Sequence, residues 1–540
     1  MRVIGPLISL LIMPLLLVSP ALAQEAAEEG SGTASVDAWV DGIVGPVTAP
    51  FVSFIFAPIP GTELPWIVLW LITAAAIFTV YFGFVQFRMV PHAIDLVRGR
   101  YTSPDAAGEV THFQALATAV SGTVGLGNIA GVAVAMSVGG PGATFWMILS
   151  GLLGMASKFT ECTLGVKYRT EYEDGRVSGG PMHYLKKGMA EIGHTTLGKV
   201  LAVGFAIFCV LASWGAGNMF QANQAHSQLV VITGGDASFL ADRGWITGLV
   251  MAVVVFLVIV GGIKSIARVT EKLVPFMGIL YLAAALIVII ANIDQLGAAF
   301  GEIFEGAFTG LGVAGGLIGA LIQGLRRATF SNEAGIGSAA IAHSAVQTKH
   351  PVTEGFVSML EPFIDTVIIC TATALVITIS GVLQQDPATG LYVWDEAAGQ
   401  IATANNLSGV ELTSAAFGSK ITWFPYVLGL AVVLFAFSTM ISWSYYGVKA
   451  WCFLFGDNYV SELIYKVLFC VFVILGAAVS LGAVLDFSDA SLFAMGIFNI
   501  VGLYFLAPIV KREMTTYMAK LRGGEIPKYP KAASARGSAA

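Results

Sequence analysis

Charge is scarce in this chain. Of its 540 residues only 11% are Asp, Glu, Lys or Arg, while 56% are hydrophobic. Soluble domains carry about 25% charged residues, and a soluble protein this apolar could not cover its own surface. A water-soluble globular class is therefore excluded. The formal net charge of −6 comes without any single-sign run, which removes the electrostatic footprint of a nucleic-acid partner. Cysteine is scarce too. Cys162, Cys209, Cys370, Cys452 and Cys470 are odd in number and form no CxxC or Cys/His metal spacing, so they read as small apolar fillers of helices. The chain also lacks GxxxxGK[ST], HExxH and GxSxG. ATP-driven transport and intramembrane hydrolysis thus lose the motifs that would carry their chemistry.

What the chain has in plenty is long apolar runs. Residues 1–23 read as a secretory signal, with Arg2 as the charged start, Leu7 to Val18 as the apolar stretch and Ala21-Leu22-Ala23 as the cleavage site. An uncleaved first helix is the alternative. Eleven further segments have the roughly 20 apolar residues that a membrane-crossing helix needs: 64–86, 111–138, 142–167, 198–231, 245–263, 273–292, 308–328, 354–382, 421–449, 463–484 and 487–510. Lys and Arg crowd alternate loops: Arg88, Arg98 and Arg100; Lys167 to Lys199; Lys264, Arg268 and Lys272; Lys349; Lys449; and the tail from Lys511. The opposite loops are mostly acidic. By the positive-inside rule the mature N-terminus is outside and the C-terminus cytoplasmic, the orientation a cleaved signal would also deliver. The expected organisation is a signal at 1–23, a periplasmic segment at 24–63, an extra helix at 64–86, five-helix sets at 111–292 and 308–510, and a cytoplasmic tail at 511–540.

Two spans are poor helix formers. The segment SGTVGLGNIAG puts Gly122, Gly125, Gly127 and Gly131 within ten residues, with Thr123 and Asn128 among them. Each glycine weakens a helix by about 1 kcal/mol relative to alanine. Unwound backbone is tolerable at membrane depth only where it lines a cavity; there freed carbonyls hold a cation and a half-helix N-terminus receives a carboxylate. Close helix packing by small residues is the alternative. The seventh span repeats the pattern with Gly310, Gly312, Gly315, Gly316, Gly319 and Gly324 around Gln323, followed by RRATFSNEAGIGSAAIAH. Arg326 and Arg327 are either functional or snorkel to the cytoplasmic interface. The two interrupted spans each open a run of five, so the second run has the opposite orientation, as in an inverted repeat with its site at the midplane. Gly125-Leu126-Gly127 is echoed by Gly335-Ile336-Gly337, and Glu161 by Glu361 and Asp365.

Other polar residues interrupt apolar spans. Asn218 and Gln221 lie three apart in the fourth span, on one helix face, and amides suit a zwitterion; interhelical hydrogen bonding is the alternative. Ser438, Thr439 and Ser442 stand at helical spacing in the ninth and offer hard oxygens of the kind a sodium ion wants, unless they back-bond to their own helix. Glu161 and Asp365 read as a proton relay or, more blandly, as structural pairs. His183 and His343 read as cytoplasmic loop groups.

These segments carry a family resemblance. SGTVGLGNIAGVAVAMSVGGPGATFWM, GMASKFTE, GGPMHYL, GNMFQAN, FSNEAGIGSAAIAH and STMISWSYYG, in this order, resemble the alanine/glycine:cation symporters of the amino acid–polyamine–organocation superfamily. The resemblance implies an all-α polytopic membrane protein with the LeuT-type 5+5 inverted repeat and one extra helix before it. It implies import of a small neutral amino acid driven by sodium or, in some members, protons, with no other cofactor. VGLGN is also similar to the first-helix motif of sodium-coupled neurotransmitter transporters. That similarity gives Leu126 and Gly127 to the substrate carboxylate, Val124, Ala436 and Thr439 to sodium, and Asn128 to a second cation or the substrate. Gln221 and Trp443 follow as substrate contacts, and Thr123, Asn218 and Gln323 complete the candidate set. Arg326-Arg327-Ala328-Thr329 and Ala340 depart from the family pattern, which bears on the preference for alanine. An ion channel and a transporter-like receptor are the rival classes.

Overall fold

The computed structural model describes residues 49–103, 105–173, 175–309, 316–403 and 406–529. The expected signal segment, Gly310 to Gly315 and the last residues of the tail lie outside these. The described residues are mostly helical. Six helices are long and apolar enough to cross a membrane, and a seventh span arises if one bent pair is counted.

An extra helix α1 (Trp66–Tyr81) precedes the core. Helix α2 (His112–Thr123) starts at a capping box in which Thr111 and Gln114 satisfy each other's backbone groups. It stops at Val124, and the chain resumes as a π-helical turn (Gly127–Gly131) and α3 (Val132–Gly139), bent by 50° from α2. Then come α4 (Ala143–Lys167), α5 (Thr195–Trp214), a second π turn (Gly215–Met219), α6 (Phe220–Ile232), α7 (Gly244–Ile259) and α8 (Gly262–Ala291). Next come α9 (Leu296–Thr309) and α10 (Gly316–Asn332), and after a break α11 (Ala339–His343) and α12 (Pro351–Ser358). A long π-helical stretch (Phe363–Cys370) leads into α13 (Thr371–Ser380). The chain ends with α14 (Phe424–Phe455), α15 (Tyr459–Ala478) and α16 (Leu481–Arg522). Two short hairpins, Thr170–Glu171 with Val177–Ser178 and Trp394–Asp395 with Gln400–Ile401, are the paired strands among the described residues.

The first interruption falls where the glycines place it. Of the second cluster, Gly310, Gly312 and Gly315 lie outside the described residues, while Gly319 and Gly324 lie within the continuous helix α10; among the described residues a break follows Asn332, across Glu333 to Ser338. Gly324 serves packing: a Cβ there would collide with the Ala143 carbonyl of α4. The two arginines do not snorkel to an interface. Arg327 is buried, and both pair with Asp489 on α16, Arg326 through an Nη2–Oδ2 contact of 2.7 Å. The Arg327 guanidinium stands 5.1 Å from the centre of the Phe330 ring, and Leu492, three residues after Asp489, lines the cavity described next, so this ion cluster adjoins the site.

Candidate functional site

The unwound backbone of the first break faces three other helices. Gly125 N–H donates to Asn128 Oδ1 (2.9 Å), and Leu126 N–H donates to Gln221 Oε1 of α6 (3.0 Å). Side chains thus take donors that the missing helical turn leaves over. Gly125 is required by proximity: a Cβ there would run into the Thr439 hydroxyl of α14 and stand 3.1 Å from Gln221 Oε1. Val124 is the residue just before it, so the break and the α14 hydroxyl are in contact range.

The three α14 hydroxyls separate in the structure. Ser438 Oγ donates back to Phe435 O (2.9 Å), the ordinary fate of a helical serine. Among the described residues, Thr439 Oγ1 and Ser442 Oγ are buried without a hydrogen-bond partner. A buried polar group left unpaired costs about 1–3 kcal/mol, so Thr439, against Gly125 and one turn after Ala436, has the chemistry of a cation ligand.

Beside the break lies a small cavity lined by Gly122, Thr123, Gly127, Ala216, Gln221, Phe330, Glu333, Trp443 and Leu492. Both breaks and helices α6, α14 and α16 contribute to it. Trp443 is clamped there: Gly217 of the second π turn leaves no room for a Cβ against its ring, and its Nε1–H donates to Glu333 Oε1 (3.0 Å). Glu333 also accepts from Ser338. It sits in the left-handed region, with φ 55°, a conformation that costs a non-glycine residue of order 1–2 kcal/mol. The two hydrogen bonds hold it where the chain turns out of α10. Sequence reasoning missed Glu333; its signal was an acidic residue between Asn332 and Gly335 at the edge of an apolar span.

The expected site residues divide. Thr123, Gly127, Gln221 and Trp443 line the cavity, the Leu126 N–H binds Gln221, and Thr439 meets Gly125, the residue after Val124; Ala436 is buried one turn before Thr439 on α14. Asn128 is engaged on both ends: its Oδ1 accepts from Gly125, and its Nδ2 donates to Asp365 Oδ1 (2.6 Å). Asp365 also accepts from Ser331 Oγ (2.8 Å) and Thr366 Oγ1 (2.7 Å), which ties both breaks to the third π stretch. Asn218 turns to α15, donating to Phe469 O (2.7 Å). Gln323 packs against Gly139 and does not line the cavity.

A buried ionic chain, also missed, runs below the second break. His112 of α2 and His343 both bind Glu354, the latter at 2.5 Å. His343 faces Glu361 (3.5 Å), Glu361 pairs with Lys158 of α4 (3.0 Å), and Lys158 lies 4.0 Å from Glu161. Glu161 accepts from Asn499 (3.1 Å), which in turn donates to Gly335 O (2.9 Å). His343 is therefore no loop group. It is fully buried, because α11 packs it between carboxylates that only the fold brings together. Glu161 takes the structural-pair reading.

With this geometry in view, the comparisons with known proteins are specific. The model of the sodium:alanine symporter family matches residues 51–531. The sodium/alanine symporter AgcS of Methanococcus maripaludis is 39% identical over 454 residues, 84% of this chain and 94% of that protein. A probable sodium/glutamine symporter, GlnT of Bacillus subtilis, is 31% identical over 476 residues, 87% and 92% of the two chains. The crystal structure of MhsT in complex with L-phenylalanine superposes with a TM-score of 0.51 at 16% identity, over 75% of this chain and 98% of MhsT, which shows the shared LeuT-type fold. A match along nearly the whole described chain, a relative at this identity and several apolar membrane-length helices agree: the chain belongs to the sodium:alanine symporter family and is a multi-pass membrane transporter, not an enzyme.

Proposed function

We propose that the protein imports a small neutral amino acid, alanine or glycine, together with sodium. The observation that carries this reading is the contact between the first break and α14. It sets an unpaired buried hydroxyl, Thr439, against Gly125, beside a cavity whose lining includes Gly127, Gln221, Glu333 and Trp443. Sodium takes the Thr439 hydroxyl with the carbonyls of Val124 and Ala436. The substrate carboxylate meets the Leu126 and Gly127 amides, with Gln221 beside them. The ammonium faces Glu333, and the rings of Phe330 and Trp443 leave room for only a short side chain. Sodium and substrate favour closure of the outside, and rocking of one set of helices against the other opens the inside.

In this reading eleven helices cross the bacterial inner membrane after a signal peptide, in two inverted sets of five. The mature N-terminus is periplasmic and the C-terminus cytoplasmic. A proton-coupled carrier is the second reading, favoured by Asp365: a fully buried carboxylate at the junction of both breaks is the group a proton would use.

The test is uptake of labelled alanine and glycine into proteoliposomes under an inward sodium gradient, an inward proton gradient or none. Saturable uptake with sodium alone is expected. Uptake driven by protons alone would transfer coupling to Asp365, and no saturable uptake from a panel of neutral amino acids would overturn the reading. Glu333→Gln is expected to raise the half-saturating alanine concentration about tenfold, the weight of one charge-assisted hydrogen bond, with the sodium dependence unchanged. An unchanged alanine dependence removes Glu333 from the site.

A further inference from the structure

A second cavity lies far from the substrate site, where the end of α1 meets the last turns of α16. Its floor is apolar, formed by Phe82 and Met89 from the segment after α1 and by Met514 and Met518 of α16. Its volume is about 260 Å³. Arg88 and Arg522 also line it, and no carboxylate does. The two walls are pinned together: Lys511 Nζ donates to Tyr81 O (3.1 Å) and stands 4.2 Å from the centre of the Tyr81 ring. Glu513, the acid nearest in sequence, is drawn away by Lys167 at 2.6 Å. Tyr81, Phe84 and Phe87 flank the groove and are exposed at 36%, 50% and 57%. Aromatic rings of this kind settle at membrane interfaces. The Lys/Arg bias of the loops puts this end on the cytoplasmic side, whose leaflet carries anionic lipid.

Apolar walls closed by two arginines are complementary to one class of molecule, an amphiphile with an anionic head. We infer that this groove is a binding site for an anionic glycerophospholipid of the cytoplasmic leaflet. Arg88 and Arg522 hold the phosphate, bidentate donors suited to it, and the acyl chain lies on Phe82, Met89, Met514 and Met518. The lipid would bridge the extra helix to the last helix of the core, beside the Lys511–Tyr81 contact and the His92–Tyr517 hydrogen bond (2.8 Å) that already join the two walls.

The test titrates the detergent-solubilised full chain with phosphatidylglycerol, phosphatidylcholine or soluble glycerol 3-phosphate, reading bound molecules by native mass spectrometry. Phosphatidylglycerol is expected to be retained in preference to the other two. Arg88→Gln with Arg522→Gln should weaken it roughly 30-fold, at about 1 kcal/mol per basic residue. Lys264→Gln with Arg268→Gln, exposed cations away from the groove, should leave it unchanged. Met518→Trp, which fills the groove and keeps both arginines, should also displace the lipid, and it carries the test if the arginine variant is lost to aggregation. Equal retention of phosphatidylcholine, equal binding of glycerol phosphate, equal losses in the two charge variants, or full retention by Met518→Trp would each overturn the inference.

Discussion

Replacing Thr439 by valine separates the cation from the fold. Valine keeps the shape of threonine and removes only the hydroxyl, and that hydroxyl is buried at 1% exposure with no hydrogen-bond partner. Removing an unpaired buried polar group without changing volume is neutral or stabilising by about 1 kcal/mol. In the absence of sodium the variant should therefore unfold at or slightly above the temperature of the parent. With sodium the sign reverses. A hydrogen-bonding group facing a charge is worth about 1.5–3 kcal/mol, and water can take over part of that role for an ion with several oxygen ligands. The lower end gives about a tenfold rise in the half-saturating sodium concentration. Two readouts check it. Uptake of labelled alanine into proteoliposomes, measured over a range of external sodium, should shift along the sodium axis. The gain in thermal stability on adding a fixed saturating sodium concentration should fall by about 1.4 kcal/mol, the tenfold loss in affinity expressed through linkage. Thr439→Ser retains the oxygen and should restore both. A Thr439→Val protein with parental sodium dependence, or one whose defect is confined to alanine affinity, refutes the assignment.

Two further changes probe the surroundings. Gly125→Ala drives a methyl group into the Thr439 hydroxyl and to 3.1 Å from Gln221 Oε1; both the sodium and the alanine half-saturation should rise at least about tenfold, and unchanged uptake kinetics would mean the break is not the site. Lys158→Met leaves Glu361 and Glu161 buried without their shared cation, which should destabilise by about 3–5 kcal/mol. A thermal midpoint in detergent should fall accordingly and recover in part when Glu361→Gln is added, whereas a parental midpoint for Lys158→Met alone would show that the ion chain does not hold these helices together.

How much of this was legible in the sequence follows from which features are local. The first break was, because four glycines and an asparagine within ten residues leave a helix too little propensity to continue, and two of those glycines, Gly122 and Gly127, line the cavity. The break after Asn332 was not foreseen, for a physical reason. Glycine abundance marks both unwinding and close packing, and α10 uses Gly324 for the latter, against Ala143. The chain turns at Glu333, where an acid in a left-handed conformation is held by the nearby Ser338 and by Trp443 of α14; the sequence marks only the acid at the edge of an apolar span, not its distant partner. Spacing alone left Thr439 and Ser438 equivalent, since neighbouring hydroxyls on one helix share every local property; the family resemblance singled out Thr439, and in the structure the contact with Gly125 and the back-bond of Ser438 to Phe435 separate the two. His343 looked like a loop residue because α11 has five residues and none of the length of a span, and it shares its buried ion chain with Lys158 of α4. Their partners, Glu354, Glu361 and Glu161, are fully buried. Charges so expensive to bury are kept only where each has an opposite charge at hand. Their pairing across α2, α4, α11 and α12 therefore constrains those helices to move together or to separate at a large cost.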